Sequence, residues 1–150
     1  MRALLVLFSL LLPLSLPTAQ AADKLAVVTS FSILADMTRQ VGGEHVYITN
    51  LVGADEDAHT YEPSPDDAKA LLKARLIIKN GLGFEPWLDR LVASTATQAQ
   101  VVTASRGVIP RTLEEDGESV PDPHAWHNLA NSELYAVSYT HLTLPTNREV

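Results

Sequence analysis

The sequence predicts a single α/β lobe of the (β/α)4 kind, in which helices flank a four-stranded parallel sheet. Four short apolar, β-branched segments have the composition of buried strands, and segments of helical periodicity separate them. The predicted strands span residues 25–30, 46–52, 76–78 and 100–103. This regular alternation favours a parallel sheet that is covered on both faces.

The helix predicted after the first strand has both a start signal and a stop signal. Ser30 or Ser32 can accept a hydrogen bond as the N-cap, and the pair Gly42-Gly43 ends the helix. Its apolar residues fall at helical spacing and are Ile33, Leu34, Met37 and Val41.

The second predicted helix has the clearest start in the chain. Ser64 is the predicted N-cap, Pro65 suits the first helical position, and the two aspartates that follow favour the positive end of the helix dipole. The predicted apolar face consists of Ala68, Leu71, Leu72 and Ala74.

The rest of the chain contains two further helices and an acidic segment between them. A third helix is predicted over residues 85–93, and its inward-facing residues are Trp87, Leu88 and Leu91. Residues 111–121 contain four acidic side chains and one glycine, and we predict a solvated loop there. Residues 128–136 are predicted to open another helix.

The two ends of the chain differ from the lobe, which is predicted over residues 22–127. Residues 1–21 have the basic start, apolar middle and small final residues of a cleavable secretory signal peptide, with cleavage expected after Ala21. Residues 137–150 abandon helical periodicity, so we interpret them as a non-native tail from a frameshift or read-through. A genuine C-terminal tail is the alternative.

Composition and charge limit the classes of function. The whole chain carries 11 basic and 18 acidic residues, a formal charge of −7, which argues against nucleic acid as a partner. It contains 0 cysteines, so it has no disulfide and no thiol for a lipid anchor at the cleavage site. We therefore expect a soluble protein of the periplasm whose fold depends on its apolar core.

Two histidines lie in proline-containing segments that are far apart in the chain. Residues 59–65 read HTYEPSP and residues 122–126 read DPHAW, so His59 and His124 both have prolines close by. His59 follows the second predicted strand, on the carboxyl side of the sheet where ligands collect in α/β folds. Imidazole binds zinc, manganese, copper and iron, so the pair predicts a metal site.

Two acidic residues are candidates for supporting this site. Asp122 can accept a hydrogen bond from an imidazole N–H or form a turn, and we place the turn first. Glu62 has the chemistry of a ligand, but its position among the prolines favours a structural or partner-facing role.

The remaining histidines and both tryptophans have simpler interpretations. We expect His45 and His127 at the surface, and His141 belongs to the suspect tail. We expect Trp87 and Trp126 to pack in the core rather than contact a ligand.

Four motifs, in this order, resemble those of periplasmic solute-binding proteins that serve zinc or manganese ABC importers (metal-binding cluster A-I). They are residues 28–37 (VTSFSILADM), 59–65 (HTYEPSP), 80–88 (NGLGFEPWL) and 122–126 (DPHAW). The resemblance covers about residues 25–136, and four ordered motifs are more specific than any one alone.

The resemblance implies two lobes that are joined by one long helix and hold a metal ion between them. Residues 128–136 would then start the linking helix, and His59 and His124 would be the ligands from the N-terminal lobe. The other two ligands, a histidine or glutamate and then an aspartate, would come from a C-terminal lobe that this sequence does not contain.

The resemblance also implies the partners and the cargo. It predicts a membrane ABC permease as partner, a divalent metal ion as ligand, and a monomer when the protein is full length. We expect Zn²⁺ first, then Mn²⁺, with Fe²⁺ a further alternative. Residues 111–121 lack the histidine run that some zinc receptors of the family have there, which weakens the case for zinc.

Two alternatives stand beside metal capture. A periplasmic zinc-dependent hydrolase needs an open coordination position and a general base, and the sequence has no His-Glu-x-x-His motif or nucleophile elbow. A non-functional fragment is the second alternative, because one lobe alone exposes the apolar face that would meet its partner lobe. We therefore expect a binding protein and not an enzyme.

Overall fold

The computed structural model describes residues 23–115 and 117–143. In chain order the strands are β1 (Leu25–Phe31), β2 (Val46–Val52), β3 (Leu76–Lys79), β4 (Gln100–Thr103), β5 (Thr112–Glu115) and β6 (Glu118–Pro121). The α-helices are α1 (Ser32–Gly42), α2 (Pro65–Lys73), α3 (Pro86–Thr95) and α4 (Leu129–Thr143), and 3₁₀ turns cover Gly43–His45 and Ala125–His127.

The first four strands form one parallel sheet, which confirms the predicted fold class, in the order β2-β1-β3-β4. Val27 of β1 lies opposite Ile48 of β2 and Leu76 of β3. Strands that are covered on both faces need apolar residues without alternation, and Leu76, Ile77 and Ile78 are accordingly all buried.

The strand order places helices on both faces of the sheet. The connection through α1 runs in one direction across the sheet and those through α2 and α3 run in the other, so right-handed crossovers put α1 on the opposite face from α2 and α3. α4 packs against α1, and α2 packs against α3. The largest fully buried apolar side chains among the described residues are those of Val27, Val28, Leu34, Val52, Leu71, Ile77, Ile78, Leu88 and Tyr135.

The serine cap predicted for α1 is wrong. Phe31 occupies the N-cap position without a side-chain hydrogen bond, and Ser32 is already helical. Ser30 is fully buried at the end of β1, and its hydroxyl donates to Glu85 Oε1 at 2.8 Å. A buried hydroxyl needs a partner, and a carboxylate is a strong acceptor, so this distant contact prevails over local capping.

α2 begins as predicted but buries a narrower face. The Ser64 hydroxyl accepts a hydrogen bond from the Asp67 N–H, and the Asp67 carboxylate accepts one from the Ser64 N–H, which is a capping box. Leu71 is fully buried, whereas Leu72 is 59% exposed, so its predicted place on the apolar face is wrong. Consecutive helical residues point about 100° apart, and only the Leu71 side faces the sheet.

Residues 111–121, which we predicted to be a solvated loop, contain an antiparallel hairpin of β5 and β6. Leu113 lies opposite Val120, and both are half-buried while most of their neighbours are exposed. The acidic composition concealed this one apolar pair. The sequence Asp116-Gly117 is nevertheless typical of a hairpin turn, and Gly117 has a φ of +83°, which favours glycine.

α4 begins where the sequence predicts a helix, and Asn128 Oδ1 accepts a hydrogen bond from the Ala130 N–H at its start. The helix continues to Thr143 and so includes residues 137–143 of the predicted tail, although helical periodicity is lost after residue 136. The predicted signal peptide and residues 144–150 lie outside the described part of the chain. None of the described helices is long and apolar enough to cross a membrane.

Candidate metal centre

His59 lies in the loop that follows β2, on the carboxyl side of the parallel sheet. Its backbone N–H donates to Asp57 Oδ1 at 2.8 Å, so the aspartate two residues earlier fixes the turn that presents the imidazole. The carbonyl of Ala58, directly before His59, accepts a 2.7 Å hydrogen bond from the indole N–H of Trp87 in α3. The loop is therefore held from within and from a neighbouring helix.

His124 lies between β6 and α4 and has the same local arrangement. Its backbone N–H and its imidazole Nδ1 lie 2.9 Å and 2.8 Å from Asp122 Oδ1. The carbonyl of Pro123, directly before His124, accepts a 2.9 Å hydrogen bond from Asn80 Nδ2 at the end of β3. Asp122 therefore forms the predicted turn and also binds the imidazole, the two roles that we weighed for it.

The two imidazoles meet although 65 residues separate them, and their Nε2 atoms are 3.2 Å apart. When the Nδ1–H of His124 donates to Asp122, the lone pair of the neutral ring is on Nε2, which faces His59. Two imidazole nitrogens that bind one zinc ion at about 2.0–2.1 Å with a tetrahedral angle lie about 3.3–3.4 Å apart. The observed separation is suitable for two nitrogens that share one metal ion.

Aromatic rings pack against the imidazole rings of His59 and His124. The ring centroid of Phe84 is 4.4 Å from that of His59 and 5.7 Å from that of His124, and both contacts are edge-on. Trp126 lies 5.3 Å from His124, and Phe31 packs 4.9 Å from both Phe84 and Trp126. These contacts restrict rotation of the imidazoles. Trp126 is half-buried and packs against the core, but it also contacts the candidate ligand His124, whereas we expected core packing without a role at the site.

Two carboxylates give the site a negative charge. The backbone N–H of His59 and the hydroxyl of Thr60 hold the pKa of Asp57 below its ordinary value. The backbone N–H of His124, followed by its imidazole, lowers the pKa of Asp122 in the same way. Both aspartates are therefore ionised at neutral pH, close to ring nitrogens that can bind a cation.

The β5–β6 hairpin borders the nitrogen pair. One cleft is lined by both imidazoles and by Glu114 and Glu115 of β5. No three histidine, aspartate or glutamate side chains are arranged to hold a metal ion together in the part of the chain that the structure describes. The described residues bring together two nitrogen donors, Nε2 of His59 and Nε2 of His124.

A buried polar network that the sequence did not reveal lies behind the site. The Glu85 carboxylate accepts hydrogen bonds from the N–H groups of Asn80 and Gly81 and from the Ser30 hydroxyl. Burial raises the pKa of Glu85, and these donors oppose that shift. Tyr135 of α4 donates to Asn80 Oδ1 at 2.6 Å. The network connects β1, β3 and α4 at the end of the sheet that carries the imidazoles.

The other candidate residues lie away from the pair. Glu62 is exposed and forms no hydrogen bond with the described residues, so its supporting role stays a prediction. His127 is exposed, with its ring centroid 6.4 Å from that of His124, as expected of a surface residue. His45 is also exposed and directly precedes β2, at the amino end of the strand that His59 follows. The side chain of His141 lies outside the described part.

Asp57 is a supporting residue that we did not recognise in the sequence. The signal was present, because an Asp-x-His spacing precedes both imidazoles, as Asp57-Ala58-His59 and as Asp122-Pro123-His124. Each aspartate accepts the backbone N–H of the histidine two residues later. A repeated turn of this kind indicates two loops that are built alike.

Residues 27–141 match the model of one protein family, described as ZnuA: Zinc-uptake complex component A periplasmic. The chain belongs to this family. The matched range runs from β1 into α4 and includes both histidines and the aspartates before them.

The ZnuA family relatives include proteins named for manganese. The manganese-binding lipoprotein MntA of Halalkalibacterium halodurans is 41% identical over 119 residues, which are 79% of this chain and 38% of that protein. The manganese ABC transporter substrate-binding lipoprotein PsaA of Streptococcus pneumoniae is 39% identical over 123 residues, 77% of this chain and 40% of that protein.

Solved structures in this group have the same α/β fold. The Mn-bound periplasmic metal binding protein from candidatus Liberibacter asiaticus superposes with a TM-score of 0.68 at 35% identity, over 75% of this chain and 42% of that one. A crystal structure of ZnuA superposes with a TM-score of 0.69 at 31% identity, over 77% of this chain and 46% of that one. The chain thus spans less than half the length of each of these four relatives.

Proposed function

We propose that the full-length protein is a solute-binding protein of an ABC importer, which captures a divalent transition metal and passes it to a membrane permease. The observation that carries this proposal is the 3.2 Å approach of His59 Nε2 and His124 Nε2 on the carboxyl side of the parallel sheet. The relatives named as manganese-binding or ABC transporter substrate-binding lipoproteins support it. In this proposal the two imidazoles are the ligands of one lobe, and a second lobe supplies the others.

The proposed cargo is manganese or zinc. The preference for zinc that we expected from the sequence is not supported, because relatives are named for manganese and the solved structures include a manganese-bound protein beside ZnuA. Imidazole suits zinc and oxygen ligands suit manganese, so the ligands that the second lobe adds to the imidazole pair would decide between the two ions. Fe²⁺ stays a lesser alternative.

We propose that the protein acts outside the cytoplasm. Relatives named as lipoproteins and as periplasmic proteins support this location, and export through the signal peptide over residues 1–21 is consistent with it. The monomeric, soluble state stays a prediction. So do the lobe boundary at residues 22–127, the linking helix that starts over residues 128–136, and the foreign origin of residues 137–150.

Binding has more support than catalysis. Three of the four relatives described above are named as binding proteins, and none of the four is named as a hydrolase. A hydrolase would need a general base next to a metal-bound water. The two aspartates beside the imidazoles instead accept hydrogen bonds from backbone N–H groups and, for Asp122, from the ring.

Metal titration of the full-length protein tests the proposed function. We expect one Mn²⁺ or Zn²⁺ ion per chain, a thermal midpoint that rises with metal concentration, and no turnover of ester or peptide substrates. If the fragment alternative holds for the 150-residue chain, that chain alone should bind far more weakly. The lack of a saturable site in the full-length protein, or metal-dependent hydrolysis, would contradict the proposal.

Asp122→Ala should weaken metal binding by about 10–100-fold, the usual cost of losing a carboxylate that orients a ligand imidazole. Asp57→Ala is the matched variant, because Asp57 accepts the backbone N–H of His59 and does not bind its ring. We expect a smaller loss for Asp57→Ala. Competition with a chromophoric chelator measures both affinities, and equal losses would show that the contact with the His124 ring contributes nothing.

A further inference from the structure

We propose that residues 80–87, the segment between β3 and the first turn of α3, position both imidazoles, with Asn80 and Trp87 as the positioning residues. The inference rests on the proposed function, because it concerns the same metal site. What it adds is a mechanism by which one short segment sets the separation of two ligands that lie 65 residues apart in the chain.

Trp87 positions His59 through the peptide group in front of it. The indole N–H donates to the carbonyl of Ala58 at 2.7 Å, and Trp87 and Ala58 are both buried. A peptide group is planar, so fixing the carbonyl of Ala58 also fixes the direction in which the chain enters His59. Because the contact is shielded from water, loss of the indole donor would leave that carbonyl without a replacement partner.

Asn80 positions His124 in the same way, and its amide has only one favourable orientation. Nδ2 donates to the carbonyls of Pro123 and Gly81, each at 2.9 Å, and Oδ1 accepts the hydroxyl of Tyr135 at 2.6 Å. A flipped amide would bring Oδ1 against two carbonyl oxygens. Asn80 is fully buried, so water cannot compensate for a lost contact.

Phe84 lies between the two positioning residues in the chain and contacts both imidazoles edge-on. It is buried and packs on Phe31 of β1, so its ring is a fixed surface for both histidines. The segment thus contacts each ligand loop twice, once through a backbone carbonyl and once through the imidazole itself.

The segment is anchored to the rest of the lobe. The Glu85 carboxylate holds the N–H groups of Asn80 and Gly81 and the hydroxyl of Ser30 in β1, which prevents the segment from sliding against the sheet. Through Tyr135 the Asn80 amide is also tied to α4, the helix that we predict to link the lobes. A shift of α4 would therefore reach His124 through two hydrogen bonds.

Three substitutions remove these contacts in turn, and Asn80→Ala removes all three hydrogen bonds of the amide. Trp87→Phe keeps an aromatic ring and removes the N–H, Asn80→Ala removes the amide, and Tyr135→Phe removes only the hydroxyl that orients the amide. The matched control is Thr97→Val, which removes the 2.7 Å hydrogen bond from the Thr97 hydroxyl to the carbonyl of Leu71 in α2 and the 3.2 Å hydrogen bond that this hydroxyl accepts from the Ala99 N–H. Neither contact involves a histidine loop.

Each variant of the full-length protein is measured for Mn²⁺ and Zn²⁺ affinity and for the thermal midpoint without metal. We expect Trp87→Phe and Asn80→Ala to weaken binding by about tenfold or more, Tyr135→Phe by about threefold, and Thr97→Val by less than about twofold. The visible absorption of bound Co²⁺, which depends on coordination geometry, should change in Trp87→Phe and stay unchanged in Thr97→Val.

The outcomes separate this inference from the proposed function. Suppose that the three variants lose no more metal affinity than Thr97→Val at a comparable fall in thermal midpoint, while His59→Ala still abolishes metal binding. The proposed positioning role is then wrong, and the proposed function stands. If His59→Ala binds metal like the unmodified protein, the function is wrong and the inference falls with it. If Asn80→Ala does not fold, Tyr135→Phe decides, because it keeps the buried ring and the amide.

Discussion

In the full-length protein, His124→Ala should weaken Mn²⁺ or Zn²⁺ binding by at least about a hundredfold, and His59→Ala should do the same. Losing a group that only orients a ligand costs about 10–100-fold, and losing the ligand removes a metal–nitrogen bond as well. The two Nε2 atoms lie 3.2 Å apart, close enough to bind one ion together, so either variant leaves a single imidazole from this lobe. The loss should be larger than the loss for Asp122→Ala.

His45→Ala is the control for these two variants. His45 is an exposed histidine at the amino end of β2, whereas the imidazole pair lies beyond the carboxyl ends of the strands, so its removal should leave the affinity unchanged. The double variant His59→Ala/His124→Ala should lose less than the sum of the two single losses in free energy, because the first substitution already breaks the shared site. Competition titrations supply all four affinities, and equal values for His45→Ala, His59→Ala and His124→Ala would overturn the site.

The parallel sheet could be predicted because its signals are local. A run such as Leu76-Ile77-Ile78 has the composition of a strand that is covered on both faces, and the capping box at Ser64 marks the start of α2 without reference to the rest of the fold. Where a local rule competed with a distant partner, the prediction failed. Ser30 does not cap α1, because the Glu85 carboxylate, 55 residues away, accepts its hydroxyl.

The hairpin and the exposed Leu72 show a second limit. Periodicity counts apolar residues but does not say how many of them the tertiary fold has room to cover. One cross-strand pair, Leu113 and Val120, was enough to order an acidic segment as a hairpin. The nine-residue helix α2, in contrast, buries Leu71 and leaves Leu72 exposed to solvent.

The residues of the candidate site also fall into those that the sequence could reveal and those that only the packed fold reveals. His59 and His124 were predicted as a metal-binding pair from the prolines beside them and from motifs that resemble those of a known family, because the distance between them in the sequence would not have paired them. Their supports are contacts over 29 and 43 residues, from Trp87 to Ala58 and from Asn80 to Pro123. Such contacts depend on the packed fold, and no local pattern encodes them. Only the repeated Asp-x-His spacing could have been found in the sequence.

Gly81→Ala should lower the free energy of unfolding by about 2–5 kcal/mol, the largest stability effect that we expect outside the apolar core. Gly81 has a φ of +85°, which alone costs a residue with a Cβ about 1–2 kcal/mol. The added Cβ would also collide with Cγ2 of Thr103 and lie 3.0 Å from Oγ of Ser105. Neither neighbour moves easily, since Thr103 is β-branched and Ser105 is hydrogen-bonded to the Asn80 carbonyl.

Gly83→Ala separates the two causes. Gly83 has a φ of +79°, but apart from its chain neighbours no atom of the described residues lies within 4 Å of the position of an added Cβ, so its substitution should cost only the conformational part, about 1–2 kcal/mol. Adding Thr103→Ser to Gly81→Ala removes Cγ2 and should recover the steric part while the conformational part persists. Urea unfolding of the unmodified protein, Gly81→Ala, Gly83→Ala and the double variant gives the conformational part and the steric part of the cost. Equal losses of unfolding free energy at Gly81 and Gly83 would show that β4 can shift away from an added methyl group. The close contact between β4 and the segment that contains Asn80 would then have no structural importance.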